Sequence, residues 1–455
     1  MPVAMNGDNR RVLPRRHEDT KLSLYKILLR DFVPLWRPLT RGDHAASVSK
    51  GTPRSQGHDV AVLTAPPLAA TQPRAPRLAS LDIVRGAVML LMAIDHVRVY
   101  SGLPAGGPTP AIFFTRWVTH FCAPAFVFLA GTGAYLSART RTPRTVSRYL
   151  VTRGAWLVLL ELTVIRVAWT FNVDFAHYDL AGVIWMLGWC MVLLAALVPL
   201  PTRTVAAFGI VVIAAQDVVG VIAGATPDSL RASTGWLWQL LYLGGVFRLG
   251  SGGPAIAVLY SIVPWIGVMA VGYAFGAIVV REPVERRRLC LLIGLTATAT
   301  FVIVAGLIVL MNPPPATAPP ALFRLLNQRK YPASQLFLLM TLGPTIALLP
   351  VAERMQGATA RVLTTFGRVP LFYYLLHIPV IHAAAVMVSL IREGRVNPWL
   401  FGNHPMMPPP VPVGYTWSLP LLYLVYALVV AALYVPCAWF ARVKAGHPQG
   451  VLKYL

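Results

Sequence analysis

The chain has 455 residues, of which 56% are hydrophobic and only 13% charged. Several apolar runs of about 20 residues exclude a soluble enzyme and a β-barrel, whose spans would be about ten residues of alternating character. The formal net charge of +23 does not signal nucleic acid, because most of it sits in the N-terminal tail and short loops, where topology signals belong.

The fold class expected is all-α: a polytopic membrane bundle of about ten transmembrane helices. Residues 1–79 read as a basic, disordered cytoplasmic tail with thirteen Lys/Arg against six Asp/Glu. Its stretch 21–39 has some amphipathic character (Leu24, Ile27, Leu28, Phe32), which Pro34 and Pro38 oppose. No clean apolar region of a signal peptide follows the first charges. The membrane domain is placed at 80–442 and a second cytoplasmic tail at 443–455. Spans are expected near 81–101, 113–137, 150–170, 180–200, 204–224, 255–280, 289–311, 334–352, 369–391 and 418–441.

Arginine clusters at 139–153, 281–288 and 354–368 fall on the side of the N-terminal tail, as do Arg442, Lys444 and Lys453. The positive-inside rule then gives N-in, C-in. The outer side carries long Gly- and Pro-rich connections at 225–254, 312–333 and 392–417, of a length often used for lids or binding loops. Within the second, Arg324, Asn327, Arg329, Lys330 and Tyr331 resemble a recognition segment more than a spacer. Cys122, Cys190, Cys290 and Cys437 are scattered without CxxC or Cys/His spacing and read as buried small residues. No internal repeat marks an inverted-repeat transporter.

The first span, LDIVRGAVMLLMAIDHVRVYS, carries Asp82, Arg85, Asp95, His96 and Arg98. Each charge in a span costs roughly 2.5–3.5 kcal/mol on insertion scales, and by default suggests function. Asp82, Arg85, Met89, Met92 and His96 share one helix face through steps of three and four. Asp82 and Arg85 are also well spaced for a structural ion pair. Asp95 beside His96 is a unit suited to acid/base work. With the topology above, His96, His120, Arg166 and His382 fall in the outer third of the membrane. Arg116 lies above His120, and Glu161 and His377 lie just below. This agreement in depth suggests a polar cavity opening outward. Bland alternatives stand beside it. His120 can simply hydrogen-bond a backbone carbonyl, Glu161 and Arg166 can form a structural pair, and His377 and His382 can answer a kink at Pro379. The His and carboxylate spacings match no metal motif such as HExxH, so no metal is expected.

From Arg77 onward the chain resembles a bacterial family of membrane proteins grouped with the catalytic domain of heparan-alpha-glucosaminide N-acetyltransferase. The resemblance is carried by RLASLDIVRGAVMLLMAIDHVRVYSG (77–102), FFTRWVTHFCAPAFVFLAG (113–131), RGAWLVLLELTVIRVAWTFN (153–172), VIWMLGWCMVLLA (183–195), PWIGVMAVGYAFG (264–276), KYPASQLFLLMTLGP (330–344) and FGRVPLFYYLLHIPVIH (366–382). It implies an integral membrane acyltransferase in a bacterial inner membrane. The acetyl or acyl group would pass from cytoplasmic acyl-CoA to an amine or hydroxyl of a glycan-type acceptor outside. The lysosomal enzyme's active His precedes a Trp-Asn-Gly stretch at the start of its second span. The corresponding TPAIFFTRW here has no His, and an Asp later in that segment is replaced by His120. The base is therefore expected to be His96 or His120, with Asp95 orienting His96. Arg98, Arg116 or Arg166 would stabilise an oxyanion or hold an acidic sugar, with Glu161, His377 and His382 completing the acceptor site. Arg85 would meet the donor. The rival reading is a transporter or flippase using the same charged layer, and a scaffold is a third. The bilayer is the obligatory partner, and a homo-oligomer stays open.

Overall fold

The computed structural model describes residues 78–446, apart from 108, 251, 316 and 317. The expected N-terminal tail, including its amphipathic stretch at 21–39, lies outside these residues except for its last two. Most of the expected C-terminal tail lies outside them as well.

Helix α1 (Ala79–Ser101) ends at Gly102, whose φ of 74° is the left-handed turn that closes helices. Thr109 caps α2 (Pro110–Trp117) by accepting the Ile112 N–H. One 3₁₀ turn at Val118–Phe121 joins it to α3 (Cys122–Ala138). Thr142 and Pro143 start α4 (Pro143–Leu160), which widens into a π-helical turn at Glu161–Ile165 and continues as α5 (Arg166–Thr170). Strand β1 (Tyr178–Ala181), α6 (Val183–Leu197), α7 (Thr202–Ala225) and α8 (Asp228–Trp238) follow. Strands β2 (Gly245–Arg248) and β3 (Ala255–Val258) precede α9 (Val263–Val279) and α10 (Pro283–Met311). The rest is helical: α11 (Ala321–Leu326), α12 (Gln335–Ala347), α13 (Leu349–Arg354), α14 (Gly357–Arg368), α15 (Pro370–Glu393) and α16 (Leu419–Gly446).

The protein is mostly helical, and a helix occupies each of the ten expected stretches. Six stretches are long and apolar enough to cross a membrane on those grounds alone: Pro110–Ala138, Thr202–Ala225, Pro283–Met311, Gln335–Arg354, Pro370–Glu393 and Leu419–Gly446. Val183–Leu197 and Val263–Val279 are apolar but shorter. The departure from an all-helical chain is a small sheet of order β1-β3-β2, with β1 parallel and β2 antiparallel to β3. Its register pairs Tyr178 with Ala255 and Gly245 with Val258. The connection at 225–254, expected to be a long Gly- and Pro-rich loop, thus holds α8 and β2. A connection that is partly buried needs partners for its backbone groups, and pairing with β3 supplies them.

Helix α1 is central, packed against α3, α13, α14, α15 and α16. The most extensively packed helix pairs carry glycines on both sides of the crossing: Gly86 against the Leu363 backbone and Gly367 against that of Asp82 (α1/α14), Gly131 and Gly272 (α3/α9), Gly154 with Gly188 (α4/α6), Gly209 with Gly267 (α7/α9) and Gly294 with Gly343 (α10/α12). A Cβ on Gly154 would sit 2.5 Å from the Gly188 carbonyl oxygen, and the reverse holds too. Small residues at the crossing let helix backbones approach closely, which is how helices associate where lipid removes the hydrophobic drive. On the periphery, α7 and α10 expose Ile210, Val211, Val221, Leu292, Leu295 and Ile303. Apolar exposure of that extent suits hydrocarbon rather than water.

Candidate functional site

Helix α1 presents His96 towards α15, where His377 meets it. His96 Nδ1 and His377 Nε2 are 2.7 Å apart, and the rings stack with centres 4.8 Å apart. The other nitrogen of His377, Nδ1, faces the carbonyl oxygens of Tyr374 at 2.7 Å and Tyr373 at 3.2 Å. Carbonyl oxygens only accept, so His377 Nδ1 carries the proton and Nε2 is a lone pair. His96 Nδ1 must then donate to His377. That assignment by network leaves His96 Nε2 as the lone pair. His377 is fully buried and His96 only half-buried, so the pair has a closed end and an open end.

Aromatic rings wall this pair. Trp169 of α5 meets the His96 ring edge-on at 4.8 Å. Tyr100, one turn above His96 on α1, donates its hydroxyl to the Trp169 carbonyl at 2.6 Å. Its ring stacks on His382 at 4.6 Å. His382 lies between Tyr100 and Phe171, and its Nδ1 donates to the Ala168 carbonyl at 3.1 Å. His404, from the connection before α16, adds a ring 5.1 Å from Tyr100 and donates Nε2–H to the Trp399 carbonyl at 3.0 Å. Burial pushes His404 down to about 4.

The charged residues divide differently from the expected layer. Asp95 accepts from Arg98 Nε at 2.8 Å and not from His96, while Arg98 also donates to the Leu103 carbonyl at the end of α1. Neighbours on a helix point about 100° apart, which is why adjacency in sequence did not make them partners. Arg85 pairs with Asp82 at 3.0 Å and reaches the Gly367 carbonyl at 3.3 Å. Arg166 is buried and engaged by its own following loop. Its guanidinium donates to Tyr178 O, Thr170 Oγ1, the carbonyl and side-chain oxygens of Asn172, and Asp174 O. Glu161 Oε2 accepts the N–H groups of Ile184 at 2.9 Å and Trp185 at 3.3 Å, capping α6, whose own cap residue is Gly182. Glu161 and Arg166 therefore do not pair with each other. In the same loop, the hydrogen bond from His177 holds the exposed Asp174 carboxyl below its ordinary range. Burial raises that of Asp179.

His120 donates Nδ1–H to the Arg116 carbonyl at 3.1 Å, leaving Nε2 as its lone pair. Arg116 is half-buried and forms no ion pair with a described residue. Lys330, 9% exposed, lies within electrostatic reach of Asp95, His96 and His120. Its ammonium nitrogen is 5.8 Å from the Tyr260 ring centre and 5.2 Å from that of Tyr331. The structure thus joins His96 directly to His377 and, through Trp169 and Tyr100, to His382. It leaves His120 bonded to the Arg116 carbonyl, and Arg85, Glu161 and Arg166 each hold partners of their own.

The family model of the catalytic part of heparan-alpha-glucosaminide N-acetyltransferase matches residues 77–312, more than half of the chain. The chain belongs to this family. Among proteins of curated function, none matches. As a member of the heparan-alpha-glucosaminide N-acetyltransferase catalytic family, the protein is assigned to membrane acetyltransferase-like proteins. His96, His120, Trp169 and Tyr100 fall within the matched part, whereas Lys330, His377, His382 and His404 come after it. Sequence reasoning missed Tyr100, Trp169 and His404 as site residues. Tyr100 was within reach, since it continues the face of Met92 and His96 by a step of four. Trp169 and His404 depend on tertiary packing and carried no local signal.

Proposed function

We propose that the protein is an acyl-CoA-dependent membrane acyltransferase, with His96 as the general base and His377 as its orienting partner. The observation that carries this reading is the directed hydrogen bond from His96 Nδ1 to His377 Nε2, which frees His96 Nε2 on the open side of the pair. In the reaction, Nε2 takes the proton from an acceptor amine or hydroxyl as its nitrogen or oxygen attacks the thioester carbonyl. The carbon–sulfur bond then breaks, and the departing thiolate leaves as thiol with the proton held on His96. While His96 is cationic, its bond to His377 becomes charge-assisted and stronger. A positioned base of this kind contributes about 10²–10⁴-fold in rate. This scheme gives the orienting role, expected of Asp95, to His377, and leaves Asp95 to hold Arg98.

The proposal extends to topology and location: ten spans, both ends on the cytoplasmic face of a bacterial inner membrane, and a glycan-type acceptor at the outer side. Arg85 lies about 16 Å along α1 from His96, at 1.5 Å per residue, and is assigned to the donor side. Three observations support membrane residence: the six long apolar helices, the exposed apolar faces of α7 and α10, and the arginines at 139–153, 281–288 and 354–368.

The test uses purified protein in liposomes, acetyl-CoA outside, and amino and hydroxyl sugars as acceptors. The account expects free thiol and acylated sugar in equal amounts. Movement of sugar across the bilayer without thiol release would favour a transporter and defeat the proposal.

A further inference from the structure

Lys330 stands apart from the other buried charges. Glu161 caps a helix, Arg166 is engaged by its loop, and Asp95 is held by Arg98 at 2.8 Å. Lys330 is 9% exposed and forms no ion pair with any described residue. Its ammonium lies over the ring faces of Tyr260 and Tyr331, whose hydroxyls are 3.4 Å apart, and the carboxylate within its electrostatic reach, Asp95, is itself held by Arg98. Ring faces attract a cation, worth about 0.5–2 kcal/mol, which falls short of the cost of burying a charge that has no direct ion pair. A fixed cation without a direct ion pair is suited to receive an anion.

The turn that carries Lys330 is pinned from both sides. Asp217 of α7 accepts from Arg329 at 2.8 Å and from Gln335 at 2.9 Å, and Tyr242 donates its hydroxyl to the same carboxylate. Lys330 is thus presented to the site by a braced segment and not by a loose one. Its electrostatic reach covers both His96 and His120. Arg116, also without an ion pair among the described residues, adds a second positive charge beside His120. With Asp95 held by Arg98, the charges within reach of His96 and His120 carry a positive surplus.

We propose that Lys330, with Arg116 beside it, forms an anion site facing His96 that receives a single anionic oxygen of the reacting molecules. This rests on the acyl-transfer reading for its purpose, though not for its existence. The oxygen has two sources: the oxyanion that develops on the thioester carbonyl during attack, or a carboxylate carried by the acceptor. A fixed cation in a dry site suits either, since it needs no reorganisation when the charge arrives. Asp217 is then a positioning residue, acting through Arg329 and Gln335.

The experiment titrates acetate, at constant ionic strength, into the full-length protein in detergent and follows the thermal midpoint. Wild type and Lys330→Arg are expected to show a saturable rise. Lys330→Met is expected to lose it, and Lys330→Gln serves the same purpose where the Met variant does not fold. No rise in wild type, or an equal rise in the neutral variants, overturns the site. Turnover with a neutral amino sugar and with one bearing a carboxylate separates the sources. A fall of about 100-fold in kcat with both acceptors at constant KM assigns the site to the thioester oxyanion. A rise in KM confined to the acidic acceptor assigns it to the acceptor. If wild type acylates neither sugar, the acyl-transfer reading falls while the acetate titration still decides the anion site.

Discussion

At the scale of single residues, the account depends on which proton sits on which imidazole nitrogen. His377 is fixed as an Nδ1–H tautomer by two backbone carbonyls, and that choice propagates to His96. Replacing His377 with Gln keeps a polar side chain but loses the ring that orients His96. The expected result is a fall in kcat of about 10- to 100-fold with little change in KM, measured by thiol release. His96 was legible in the sequence because a titratable group in a costly position stood on a three-and-four face. Its partner was not. Asp95 is adjacent in sequence but accepts its hydrogen bond from Arg98, and the contact with His377 spans 281 positions. The i,i+3 spacing of Asp95 and Arg98 was present throughout, and it is that pair the structure forms. Arg166 and Glu161 show the same limit. Their cost in a span was visible, whereas the loop and the helix end that satisfy them are tertiary facts.

At the scale of elements, the helices were legible as apolar runs, and the structure starts several of them at Pro in the first turn or at a Thr or Ser cap. The sheet did not, because four-residue strands have little periodicity of their own and are made by pairing across long separations. The glycine crossings yield a prediction. Gly154→Leu drives a side chain into the Gly188 carbonyl, so α4 and α6 must separate. The thermal midpoint should drop well beyond the 1–3 kcal/mol typical of overpacking, while Gly133→Leu, with open space around it, should change little. The connection before α16 yields another. His404 is pushed down to about 4 from an ordinary 6.5, so the unfolded chain takes up its proton first as pH falls. Stability is full above pH 6.5 and declines between 6.5 and 4, by at most about 3 kcal/mol from this residue. His404→Gln can still donate to the Trp399 carbonyl but does not titrate. Its thermal midpoint should therefore fall less steeply across that pH window than the wild type's.

At the scale of the whole molecule, the proposed arrangement places the arginine-rich connections inside and the long connections outside. All four cysteines are buried, so they should resist a membrane-impermeant thiol reagent in intact cells. On that quiet background, Asn312→Cys is expected to be labelled from outside and Arg144→Cys only after the cells are opened. The reverse pattern would overturn the N-in, C-in topology. With that orientation, α1 carries a polar line from Arg85 near the donor to His96 near the acceptor, and α15 closes it with His377. In the proposed reading, the first span is the wall along which the acyl group is handed across, with Lys330 reaching over from a connection on the outer side.

The most direct measurement of the central claim is thiol release from acetyl-CoA by wild type, His96→Gln, His377→Gln and the double variant, each shown to fold by its thermal transition. The account predicts that His96→Gln loses at least about 100-fold in kcat. It also predicts that the double variant loses no more than His96→Gln alone, since His377 acts only through His96. Wild-type turnover in His96→Gln, or independent and multiplicative losses at the two positions, would contradict it.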